Sequence, residues 1–64
     1  MRGTILSYFT VGGFGHLLDD HKDEYCFYAS DIKIKSGIVK AGDTVSFDLY
    51  RGHGLRAVNL RSSL

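Results

Sequence analysis

The stretch Thr44-Val45-Ser46-Phe47-Asp48-Leu49 alternates polar and apolar residues without a break. Successive side chains of a strand point to opposite faces, so this period predicts a half-buried strand. Val45, Phe47 and Leu49 are expected inward, and Thr44, Ser46 and Asp48 outward. Related runs recur along the chain. Residues 4–10, 14–18, 24–28 and 56–61 are rich in β-branched, aromatic or alternating residues and read as further strands, the last with Val58 and Leu60 inward. Between them lie Val11-Gly12-Gly13, the polar stretch 19–23, Ala41-Gly42-Asp43 and Gly52-His53-Gly54, all turn-forming compositions. Residues 29–32 read as one helical turn opened by Ser30, and 33–40 as a connection containing Gly37. The last three residues are expected to fray.

Five short strands without a convincing helix, in 64 residues, predict a single all-β domain over residues 1–64. A partly closed five-stranded antiparallel Greek-key barrel is favoured at this length, because closure removes most exposed edges. A domain this short buries only about 60% of the surface its unfolded chain exposes. It has room for one layer of inward side chains, not for a deep active site. No nucleophile, base and orienting group emerge together, so the chain is not expected to be an enzyme. No apolar run is long enough for a membrane span, and the N-terminus enters an alternating pattern directly, so neither a membrane contact nor a signal peptide is expected. The single cysteine, Cys26, excludes an internal disulfide and fits a reducing compartment, hence the cytoplasm.

Lys and Arg number 8 against 7 Asp and Glu, for a net charge of +1. Proteins that bind nucleic acid mainly by charge are usually strongly basic. Any nucleic-acid binding here must come from local geometry and stacking. His16, His21, Cys26 and His53 match no standard zinc spacing, so no metal or other cofactor is expected. The acidic run 19–24 reads as a solvated loop, and Lys33, Lys35 and Lys40 as lysines of a surface connection. Gly12, Gly13 and Gly15 do not form a phosphate loop, since no helix and no Lys-Ser/Thr pair follows.

At four places in one register the chain resembles the cold-shock domain family. Gly3-Thr4-Ile5, then Gly13-Phe14-Gly15-His16-Leu17, resembles the family opening G-x-V-K-W-F-N followed by G-F-G-F-I. Residues 24–32, Glu-Tyr-Cys-Phe-Tyr-Ala-Ser-Asp-Ile, are similar to the family's third strand, D-x-F-F-H-x-S-x-I. Val39, Gly42, Val45, Phe47, Gly52, Ala57, Asn59 and Leu60 meet its closing pattern. The resemblance implies an OB-fold barrel of the cold-shock type, whose second and third strands stack single-stranded RNA or DNA bases on aromatic rings. Phe14, His16 and Tyr28 occupy the implied stacking positions, with Tyr8, Lys33 and Arg56 as helpers. Phe14 and Tyr28 also fit plain cross-strand packing, and His16 fits a solvent-exposed residue without a task. One of Tyr8 and Phe9 is expected in the core, because the first strand of such barrels bends.

The departures from the family are concentrated on the binding face. Ser7 stands where the family has Trp, Leu6 and Gly12 where it has lysines, His16 where it has the second Phe, and Cys26 and Tyr28 where it has Phe and His. The inward positions stay apolar. Two readings follow: a single-stranded nucleic-acid binder of the RNA-chaperone kind, or a barrel of the same type used for protein contact, including a homodimer. The second draws on the near-neutral charge, the missing lysines, and Leu6 and Leu18 at positions facing solvent.

Overall fold

The computed structural model describes residues 1–50, 52 and 54–62. His53 of the expected 52–54 turn, and residues 63–64 of the three expected to fray, lie outside the described residues; the third, Ser62, does not fray but pairs with Val45 in the last strand. Five strands form: β1 (Arg2–Phe9), β2 (Phe14–Asp19), β3 (Glu24–Tyr28), β4 (Thr44–Leu49) and β5 (Ala57–Ser62), with a 3-10 turn at Ala29–Asp31. They make one sheet in the order β3-β2-β1-β4-β5, every neighbouring pair antiparallel. β1 to β3 form a meander, and the long 32–43 connection returns β4 to the side of β1, which is the Greek-key order. The expected barrel closure is not a ladder. Among the described residues, β3 meets the segment leading into β5 at the isolated parallel bridge Cys26↔Arg56, where the Cys26 N–H donates to the Leu55 carbonyl at 3.1 Å. A parallel touch between strands of an antiparallel sheet does not continue its hydrogen-bond pattern.

Ile5, Leu17, Tyr25, Phe27, Val45, Phe47 and Leu60 are buried, as the alternation predicts, and Ile32, Val39 and Ala57 complete the core. Two inward expectations fail. Val58 is half-buried and Ala57 takes its place inside, because the β4–β5 register steps from Ser46↔Arg61 to Asp48↔Val58. Phe47 thus opposes both Asn59 and Leu60. Asn59 absorbs this bulge at φ 54°, a left-handed conformation that Asn tolerates better than most residues. Leu49 shares the inward face of Ala57 but sits at the strand end, beyond the enclosed Phe47, and is exposed.

A second bulge lies in β1. Ile5 pairs with Leu17 and Ser7 with His16, leaving Leu6 as the extra residue. Beyond it every β1 side chain changes face relative to strict alternation. Tyr8 pairs with Gly15 and turns inward, where its ring stacks on Phe27 with centroids 5.8 Å apart and planes at 15°. Gly15 makes this possible, since a Cβ there would lie 2.6 Å from Phe27 Cζ.

The acidic run is not uniformly solvated. Asp19 is buried and its carboxylate organises the β2–β3 turn. It accepts from the N–H groups of His21 at 2.8 Å and Asp23 at 2.9 Å, and from the Tyr25 hydroxyl at 3.0 Å. Lys22 takes the left-handed conformation this tight turn requires, with φ 69°. The 3-10 turn is held by Asp31 in place of the expected Ser30: the Asp31 carboxylate accepts from the Tyr28 N–H at 2.9 Å.

Candidate nucleic-acid interface

The strand register assembles an outward aromatic row. Phe9 of β1 pairs with Phe14 of β2, and Phe14 pairs with Tyr28 of β3. All three rings are exposed, at 52%, 38% and 46%. Directly opposed side chains on one sheet face have Cβ atoms about 4.5–5.5 Å apart, close enough for rings to touch. The Phe9 and Phe14 centroids are 5.2 Å apart. A second row, Ser7, His16 and Cys26, lies two residues along each strand, roughly 7 Å away. The His16 ring stands edge-on to Phe14, with centroids 6.3 Å apart. Cys26 is half-buried, and its thiol donates weakly to the Leu55 carbonyl at 3.5 Å.

Of the residues singled out from sequence, Phe14, His16 and Tyr28 come together on this face. Tyr8 does not join them: the β1 bulge turns it toward Phe27 and brings Phe9 out in its place. The adjacent pair Tyr8-Phe9 announced that one ring faces outward, and only the extra residue at Leu6 decides which. Lys33 belongs to neither row. Its N–H donates to the Leu60 carbonyl at 2.8 Å, and its exposed side chain has no partner among the described residues.

Arg56 reaches the face from the residue just before β5 but does not stand free. Its guanidinium lies 4.8 Å from the Tyr28 ring centroid and 4.9 Å from that of Tyr50. It grips Asp31 through two bonds, Nη2 to Oδ1 at 2.9 Å and Nε to Oδ2 at 3.1 Å. The Asp31 hydrogen bond pushes the Arg56 pKa further up, against the downward pull of burial, so the group stays charged and paired. Sequence reading missed Asp31 and Tyr50; their partner is 25 residues from Asp31 along the chain.

The outward positions of β1, β2 and β3 carry one other cation, Arg2, at the far end from the aromatic row. The face is therefore apolar and close to neutral. Among the described residues no cluster of three His, Cys, Asp or Glu side chains is placed to hold a metal ion. Such a surface offers π-faces and ring edges, and little that attracts a phosphate.

No protein-family model and no curated protein matches the chain. Among solved structures, "drosophila Unr CSD456" superposes on 98% of the chain with a TM-score of 0.77 at 22% identity. The chain has a cold-shock fold. It spans 26% of the length of that solved chain, and at this identity the likeness carries the architecture alone. Within a cold-shock fold, Gly13-Phe14-Gly15 enters β2, and residues 24–32 supply β3 and the 3-10 turn, as the resemblance implied.

Proposed function

We propose that this cold-shock-type domain binds single-stranded RNA or DNA by stacking bases on Phe9, Phe14 and Tyr28, with His16 beside them, and that it is not an enzyme. The observation that supports the reading is the row of three exposed rings aligned across three adjacent strands. Every base has a π-face, so such a row holds single strands without reading sequence, each stacked base contributing about 1–3 kcal/mol. Duplexes, whose bases are already stacked on each other, gain nothing from it. A reducing compartment, the cytoplasm, belongs to the same reading, because Cys26 is a free thiol on the face.

The test is fluorescence anisotropy of labelled oligouridine and oligothymidine titrated with the chain and with Phe14→Ala. Saturable binding in the micromolar range, weakened in the variant, is the expected result. No binding at about 100 µM, weaker than roughly −5.5 kcal/mol, defeats the reading. A protein-contact reading, including a homodimer, is favoured by one feature: the near-neutral face with Phe9, Val11 and Leu55 exposed around it. Sedimentation that depends on concentration, abolished by Phe9→Ser in a chain that ignores oligonucleotides, selects this second reading.

A further inference from the structure

We infer that Asp31 sets the selectivity of this face by withholding Arg56 from nucleic-acid phosphates; the inference rests on the nucleic-acid reading above. Arg56 is the cation nearest the aromatic rows, bridged to Cys26 of the second row. An arginine there would ordinarily neutralise a phosphate and release counterions. Here its fork is already closed on a carboxylate, with both bonds within 3.1 Å. Asp31 is itself fixed: it is 5% exposed and also holds the Tyr28 N–H. The guanidinium carbon also lies 4.8 and 4.9 Å from the Tyr28 and Tyr50 ring centroids, and the side chain is partly exposed. A phosphate approaching Arg56 therefore meets a charge pair whose sum is zero.

Two consequences follow from this arrangement. Arg56 contributes no counterion release, so binding depends weakly on salt and comes from stacking. Its guanidinium also lies over one face of the Tyr28 ring, so a base stacking on Tyr28 uses the ring's other face, beside Phe14 and Phe9. Polyanions without accessible bases, duplexes among them, gain neither term. Asp31 is thus a positioning residue that makes the face prefer unpaired bases over backbone charge.

The experiment is the slope of log Kobs against log salt for oligouridine and for a short duplex, with the chain, Arg56→Gln and Asp31→Asn. Arg56→Gln removes the charge yet keeps a donor for Asp31, and its oligouridine slope should equal that of the parent. Asp31→Asn keeps an acceptor for the Tyr28 N–H and frees the cation. Its slope should steepen by about 0.7, roughly a 2.6-fold greater loss of affinity between 50 and 200 mM salt, with measurable gain of duplex binding. A slope flattened by about 0.7 in Arg56→Gln overturns the inference, because Arg56 would then already meet a phosphate. So does an unchanged slope in a folded Asp31→Asn. Should Asp31→Asn not fold, the Arg56→Gln comparison decides alone. The Arg56 Nε–H resonance tells a broken clamp from a face that does not stack bases. A protected Nε–H with no oligouridine binding by the parent removes the stacking reading while the clamp stands. An unprotected Nε–H in a parent that binds removes this inference and spares the reading.

Discussion

Phe9→Ala and Tyr8→Leu should have opposite consequences, although the two residues are neighbours. The Phe9 ring is half exposed and touches Phe14 on the outer face. Truncating it forfeits an aromatic pair, about 0.5–1.5 kcal/mol of stability. If a base stacks on it, affinity falls by about 1–3 kcal/mol, which is roughly 5- to 150-fold. Tyr8 is half-buried on the inner side, stacked on a fully enclosed Phe27. Deleting a fully buried aromatic to Ala costs about 3–5 kcal/mol, and a half-buried ring replaced by Leu keeps much of its packing, leaving a loss of about 1–2 kcal/mol. Oligouridine affinity of the folded Tyr8→Leu fraction should match the parent. A domain of this size has only about 3–5 kcal/mol to lose, so affinity is measured in the cold, alongside denaturant midpoints for both variants. Tyr8→Leu weakening oligouridine tenfold at an unchanged midpoint, with Phe9→Ala silent, would overturn this assignment of faces. The β1 bulge would then not orient the strand as described.

Two stability predictions follow from other parts of the fold. Burial pushes the Asp19 carboxyl pKa up, but the N–H donors of Asp23 and His21 and the Tyr25 hydroxyl outweigh it, so the pKa ends below the ordinary 3.8. A depressed carboxyl stabilises the fold above its unfolded value and loses that contribution as pH falls through the folded one. The urea midpoint should therefore drop steeply below about pH 4, and less steeply in Asp19→Asn; equal acid limbs would exclude Asp19 as the cause. Gly15→Ala would press a methyl onto Phe27 Cζ, 2.6 Å away, and onto the Ser7 carbonyl. Overpacking of this kind costs typically about 1–3 kcal/mol, and a variant with an unchanged thermal midpoint would show that the Tyr8–Phe27 stack yields more easily than its geometry implies.

Local chemistry in the sequence determined the strands, their turns and most of the core. Period-two alternation and β-branched or aromatic runs suffice to place β1 to β5, because strand formation is read from neighbours in the chain. The same logic put Phe14, His16 and Tyr28 on one surface: they lie in the regular β2–β3 ladder, where alternation holds without interruption. It failed wherever pairing inserts one extra residue. Leu6 in β1 exchanged the faces of Tyr8 and Phe9, and the Asn59 bulge exchanged those of Ala57 and Val58. No local pattern marks such an insertion, since it is set by which partner strand a residue meets. The charge of the face was equally hidden. Arg56 looks like a free cation in the chain, and Asp31 like an ordinary turn residue. Only the fold brings β5 against the 3-10 turn and closes a carboxylate on a guanidinium. Alternation is a property of one strand, whereas register and charge pairing are properties of two segments that find each other in space.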